Sequence, residues 1–259
     1  MQRLKLTISY VGTKFHGWQR QISPKGVELR TVQRELETLA SRIVGQKVHI
    51  HASGRTDTGV HAEAQVAHMD VPLNRANVNW QRFFNTQLPG DVAIAKVEPV
   101  PQTFHAQYSA LSKLYSYSLW LKPDYTPPRL KDFVWSCGPL NLEAMQKAAK
   151  HFVGRIDCAS FRNVGVEYRT TIRTIELVKM DPPDPANPYL FVWHFQADGF
   201  LKQMVRNMMG LLAEVGRGRF TPDQVADVIA ACNRRASAAT APPGGLCLSR
   251  VFYPEDNGV

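Results

Sequence analysis

Residues 48–71, VHIHASGRTDTGVHAEAQVAHMDV, read as two strands, 48–52 and 64–71, joined across a loop bounded by Gly54 and Gly59. Strands this close in sequence pair with each other, so the stretch calls for an antiparallel sheet. Upstream, Leu4, Leu6, Ile8 and Tyr10 alternate with polar residues, the period of a strand with one buried face. Between them, Val32, Leu36, Leu39 and Ile43 recur at helical spacing from Thr31 to a stop at Gly45. Downstream, 77–88 reads as a second helix carrying Trp80, Phe83, Phe84 and Leu88, and 92–97 as a closing strand.

The rest of the chain repeats this alternation of element types without a residue-level repeat. A strand at 114–121 leads into a Pro-rich surface loop through Pro123, Pro127, Pro128 and Pro139. A helix at 142–153 precedes strands at 171–180 and 189–197, whose connection, DPPDPANP, cannot join a ladder. A long helix runs from 200 to about 217, another starts at Thr221 with Pro222 in its first turn and Gln224 completing a capping box, and 246–252 is the last strand. These elements predict an α+β protein with mixed, largely antiparallel sheets and helices on one face, in two halves, 1–104 and 105–259.

The 259 residues carry 31 Lys and Arg against 22 Asp and Glu, a formal charge of +9. The excess is spread over the chain, with 13 basic against 8 acidic residues up to 104 and 18 against 14 after it. A positive surface of this extent suits a polyanion, bound by counterion release, better than a small acidic metabolite. No apolar run approaches the length of a membrane span, and the first ten residues lack a signal-peptide pattern. Cys137, Cys158, Cys232 and Cys247 form no C-x-x-C pair, which fits a reducing cytoplasm.

The chemistry concentrates in the glycine-bounded loop, which presents Asp57 with Arg55 two residues before it. A nearby guanidinium favours the ionised carboxylate, the form a nucleophile or general base needs. The same local pattern also reads as an Asx-turn. A metal reading competes, since His49, His51, His61 and His68 share the window with Asp57 and Asp70. Their spacing is irregular, however, and no helical H-x-x-x-H pair accompanies them.

The string GRTDTGVHA at 54–62 resembles the G-R-T-D-A-G-V-H motif of TruA-type tRNA pseudouridine synthases. Three further segments resemble that family in the same order: YVGTKFHGWQRQ at 10–21, FHAQYSALSKLYSY at 104–117 and FLKQMVRNMMG at 200–210. With the APPGGLCL stretch and a closing Tyr-Pro, the likeness runs from about residue 3 to 254. Thr58 departs from the usual Ala, and the loop 23–29 and the Pro-rich stretch after Leu121 are idiosyncratic.

The resemblance implies two ferredoxin-like (RRM-like) halves that join their sheets around a central basic cleft holding Asp57. It implies a cofactor-free isomerisation of uridine to pseudouridine at positions 38, 39 and 40 of the anticodon arm of tRNA, by a homodimer that needs no metal. It makes Asp57 the essential carboxylate, Arg206 its ion-pair partner, Tyr115 the residue stacking on the target base, and Arg55 the arginine that fills the gap left by the extruded uridine. Tyr117 shares the strand face of Tyr115, so only the motif chooses between them. Arg75, Lys14 and Arg20 are candidate phosphate contacts. Two other readings stay open: a non-catalytic RNA-binding module and a metal-dependent hydrolase built on the histidine window.

Overall fold

A computed structural model describes residues 1–254; the last five positions of the second predicted half lie outside the described residues. The described residues divide into two compact units, Met1–Leu111 with 247–254, and Ser112–Leu246. The boundary falls seven residues after the predicted 104/105, because 102–111 packs back on the first unit and the last strand returns to it.

The first unit runs β1 (Gln2–Tyr10), α1 (Val32–Val44), β2 (Ile50–Ala52), β3 (His61–Val71), α2 (Trp80–Gln87) and β4 (Val92–Val100). Its strands lie in the order β4-β1-β3-β2, every pair antiparallel. The alternation in β1 becomes four buried side chains, Leu4, Leu6, Ile8 and Tyr10, beside Val32, Leu36, Ala40, Ile50, Met69, Trp80 and Phe84 in the core. Helix α1 is capped as the sequence predicts: the Thr31 side chain accepts from the Arg34 N–H, and Gly45 ends the helix at φ 79°. Helix α2 starts later than predicted, because the Asn79 side chain caps it and 73–75 forms a separate 3₁₀ turn.

The second unit contains β5 (Ser112–Trp120), β6 (Trp135–Ser136), α3 (Leu142–Ala149), β7 (Gly154–Asp157), β8 (Ile172–Met180), β9 (Leu190–Ala197), α4 (Met204–Gly216) and α5 (Gln224–Ala230). Its sheet runs β5-β9-β8-β7, antiparallel throughout, with β6 added in parallel to β5. Strands β6 and β7 were not foreseen; the first hides in the Pro-rich stretch, and the second is too short to show a period. Helix α4 begins four residues after the predicted start because Gln203 takes a left-handed backbone at φ 63°. The predicted capping box forms before α5, the Gln224 side chain accepting from the Thr221 N–H and Thr221 Oγ1 from the Gln224 N–H. A final strand, β10 (Leu246–Phe252), pairs Cys247 and Leu248 in parallel with His61 and Ala62 at the start of β3.

Candidate active site

Asp57 sits in the connection between β2 and β3, and buried polar groups fix that connection from beneath. Gln65 on β3 accepts from the Ser53 hydroxyl at 2.8 Å, donates to the Gly54 carbonyl at 2.8 Å, and reaches the Tyr10 hydroxyl at 3.4 Å. That hydroxyl lies 2.8 Å from Thr56 Oγ1, and Tyr10, Ser53, Thr56 and Gln65 are all buried. Burial pushes the Tyr10 phenol up to about 12, so it stays a neutral hydrogen-bonding group. The Val60 N–H then closes a turn onto the Asp57 carbonyl at 3.1 Å, with Gly59 at φ 80°.

The segment 11–18 clamps the same loop from the side. The Trp18 N–H donates to the Thr56 carbonyl at 3.1 Å, and the Phe15 carbonyl accepts from Gly59 at 3.3 Å. The approach is close enough to require two glycines: a Cβ on Gly12 would lie 2.0 Å from the Val60 oxygen, and one on Gly17 2.6 Å from the Thr56 oxygen. Arg30 braces the clamp, with a two-pronged ion pair to Asp91 at 2.8 Å and its guanidinium 4.1 Å from the Phe15 ring centre. That guanidinium holds the Asp91 carboxyl below the usual carboxylate range. Asp57 is left half-buried, and Arg55 and Thr58 are exposed. A carboxylate presented from so rigid a frame is held ready for nucleophilic or general-base chemistry.

The second unit carries Tyr115 and Arg206. Tyr115 on β5 pairs with Phe195 on β9, and its ring meets Phe200 edge to face at 5.1 Å. Tyr117, its rival on the same face, is fully buried, donates its hydroxyl to the Pro242 carbonyl at 2.6 Å and packs against Gly245. Arg206 is half-buried on α4, its Nε donating to the Ala241 carbonyl at 2.7 Å while the Ala241 N–H returns a bond to the Arg206 carbonyl. Gly210 lets the helix meet this segment, since a Cβ there would strike the Ala239 oxygen at 2.1 Å.

Of the phosphate candidates, Lys14 is exposed inside the clamp, and Arg75 is exposed at the end of the 3₁₀ turn before α2. Arg20 is exposed too, but its charge is answered by Glu28 at 2.5 Å and Glu37 at 3.5 Å. Two histidines of the window hold backbone in place, while His49 and His51 are exposed. His61 Nδ1 accepts from the Gly12 N–H at 3.0 Å and His68 Nδ1 from the Ala106 N–H at 3.2 Å. Among the described residues no group of three or more His, Cys, Asp or Glu side chains is placed to hold a metal ion. Burial, with Arg3, His105 and His51 nearby, lowers His68 to about 4. Sequence reasoning missed Tyr10, Gln65 and Asn207 as positioning residues. The only local signal was a polar side chain at an inward position of a strand or helix.

A family model described as tRNA pseudouridine synthase matches residues 6–109 and 148–254, which take in the Asp57 loop, its clamp and Arg206. Tyr115 lies between the two matched stretches. The tRNA pseudouridine synthase A of Nitratidesulfovibrio vulgaris (strain Miyazaki F) is 49% identical over 98% of this chain and 100% of its own length. Those of Oleidesulfovibrio alaskensis, 47% over 99% and 98%, and Lawsonia intracellularis, 46% over 98% and 100%, are similarly close. Among solved structures, the crystal structure of a Cbf5-Nop10-Gar1 complex aligns over 96% of this chain and 59% of that chain. At 11% identity and a TM-score of 0.35 the likeness is too slight to bear on the fold.

Proposed function

The chain belongs to the tRNA pseudouridine synthase family, and from that premise we propose that it isomerises uridine to pseudouridine at positions 38, 39 and 40 of the tRNA anticodon stem-loop, with Asp57 as the essential carboxylate. The observation that carries this reading is the clamped loop, in which Tyr10, Thr56, Gln65 and Gly17 hold the Asp57 backbone from two sides. Pseudouridylation breaks the N1–C1′ bond, turns the base and joins C5 to C1′; C5 loses a proton, N1 gains one, and no redox partner is needed. An ionised Asp beside an electron-poor C1′ suits either nucleophilic addition or proton removal.

On this reading Arg206 answers the charge of Asp57, Tyr115 stacks on the target base, and Arg55 enters the stem where the uridine leaves. The exposure of Arg55 and the ring pair of Tyr115 with Phe200 support those roles. Lys14 and Arg75 contact phosphates, with Arg20 the weaker candidate. Both halves are ferredoxin-like, around a basic cleft; the β4-β1-β3-β2 order of the first unit supports this. The enzyme acts as a cytoplasmic homodimer. The described residues contain no helix long and apolar enough to cross a membrane, and all four cysteines are free thiols.

The test is incubation of the protein with unmodified tRNA in excess chelator, followed by carbodiimide labelling and reverse-transcription mapping. The expected result is new stops in the anticodon arm that vanish with Asp57→Asn. Binding of tRNA without new stops would instead support a binding module, and strand cleavage abolished by chelator would support a metal hydrolase.

A further inference from the structure

Histidine and tyrosine rings form a contiguous cluster on the first unit, outside the Asp57 loop, with two stacked pairs joined by an edge-to-face contact. It starts at His68, 3% exposed on β3, whose ring lies 5.1 Å from His51, stacked, and 4.6 Å from His105. His105 in turn stacks on Tyr108 at 4.3 Å, and Tyr108 is 80% exposed. An exposed tyrosine is ordinarily a mobile one, and here the backbone beneath it is pinned throughout. The Gln107 and Tyr108 N–H groups both donate to His105 Nδ1, at 3.2 and 3.3 Å. The Ser109 hydroxyl accepts from the His105 N–H, and the Ser109 N–H donates to the His105 carbonyl, each at 2.9 Å.

Deeper in, His68 accepts from Ala106, Tyr253 donates to the Ala106 carbonyl at 2.6 Å, and Arg3 donates to the carbonyls of Gln102 and Phe104 at 2.7 and 2.8 Å. The result is an exposed flat ring on a pinned backbone, lying against His105. The neighbouring Gln107 is exposed, and Lys5 lies 4.6 Å from the ring centre of Tyr253, whose hydroxyl holds the Ala106 carbonyl. One such ring, with Leu111 nearby, is far less apolar area than a stable protein interface buries. It matches a single nucleobase, whose π-face stacks on aromatic side chains whatever its sequence, and the net charge of +9 favours a polyanion.

We propose that the Tyr108–His105 stack is an RNA-docking point on which one unstacked base of the bound tRNA lies. The proposal rests on the reading of this chain as a tRNA-modifying enzyme and adds a contact to it. The experiment measures the affinity of fluorescently labelled unmodified tRNA by anisotropy, at several salt concentrations, for the wild type, Tyr108→Ala, Tyr108→Phe and Tyr108→Trp. Tyr108→Ala is expected to bind about ten-fold more weakly, with Phe and Trp within about two-fold of wild type because each keeps a stacking face. The salt slope should not change, since no phosphate contact is removed.

An affinity of Tyr108→Ala within two-fold of wild type overturns the proposal, as does a loss that Phe and Trp fail to rescue. Sedimentation of the same proteins covers the other occupant: if Tyr108→Ala abolishes self-association shown by the wild type, the ring belongs to an interface between copies and the proposal falls. Thermal melts accompany every variant, and His105→Ala, which removes the supporting ring while leaving Tyr108, is expected to weaken binding in the same direction; unchanged binding there also counts against the stack. Binding is read independently of turnover. Wild type that binds tRNA through Tyr108 but forms no pseudouridine would sink the proposed function alone, and wild-type modification with indifferent variants would sink the docking point alone.

Discussion

The Tyr10 hydroxyl lies 2.8 Å from Thr56 Oγ1, joining the end of the first strand to the residue immediately before Asp57. The two are 46 positions apart in the chain, and both are buried. A neutral phenol inside the sheet thus sets where the proposed catalytic loop begins.

Removal of that hydroxyl in Tyr10→Phe leaves Thr56 Oγ1 without this buried partner, at a cost of about 1–3 kcal/mol. Because the loop loses an anchor, single-turnover pseudouridine formation is expected to fall about ten-fold. Urea unfolding and single-turnover kinetics check the two effects separately. A stability loss with an unchanged rate would reduce the network to a purely structural role.

Two glycines with nearly the same backbone should behave very differently. Gly17 at φ 82° and Gly26 at φ 77° both pay a left-handed strain of about 1–2 kcal/mol when changed to Ala. A Cβ on Gly26 would meet nothing within 4 Å, whereas one on Gly17 meets the Thr56 carbonyl oxygen at 2.6 Å. Gly26→Ala should therefore lose only the strain and keep its activity. Gly17→Ala should be distinctly less stable and displace the Asp57 loop, which paired denaturant melts and rate measurements would reveal.

His68 makes stability depend on pH in a defined window. Its folded-state value is lowered from 6.5 to about 4, first by burial and then by neighbouring cations. A base depressed in this way leaves the folded state neutral while the unfolded chain takes up a proton. Its contribution is therefore intact above about pH 6.5 and is lost progressively as pH falls toward 4, by at most about 3 kcal/mol. His68→Gln should flatten the stability profile between those limits, measured by urea melts at half-unit pH steps. Below that window Asp70 and Asp91, both lowered chiefly by hydrogen bonds from Arg3 and Arg30, bring a further loss as their carboxyls protonate.

Asn207, fully buried on α4, donates to the Phe161 carbonyl at 2.7 Å and accepts from Thr240 at 2.7 Å and Arg234 at 3.0 Å. Thr240 precedes Ala241, whose carbonyl holds Arg206 Nε. Asn207→Leu should cost about 3 kcal/mol by stranding buried polar groups and lower the rate through misplacement of Arg206. Asn207→Asp, which keeps the acceptor, should recover part of the rate; equal rates for the two variants would argue against a positioning role.

Much of the fold was legible locally. The alternation of β1, the Thr31 cap, the Gly45 stop and the Thr221–Gln224 capping box all depend on residues within a few positions of one another. What local pattern missed was set by competition or by partners. The start of α4 yields to the left-handed Gln203, β6 exists only because β5 offers it an edge, and four-residue β7 becomes a strand by pairing with β8. The Asp57 loop was visible because glycines bound it, while its supports were not, since Tyr10, Gly17 and Gln65 approach it only after folding.

The sequence by itself determined the element types, the loop that presents Asp57 and, through long motifs, the family, because periodicity, capping chemistry and motif order are properties of neighbouring residues. Tertiary structure alone decided which polar groups serve that loop, that His68 is buried and held neutral, and that the exposed Tyr108 ring lies against His105. Those outcomes depend on hydrogen bonds and ring contacts between residues tens of positions apart, whose desolvation and geometry no local window contains.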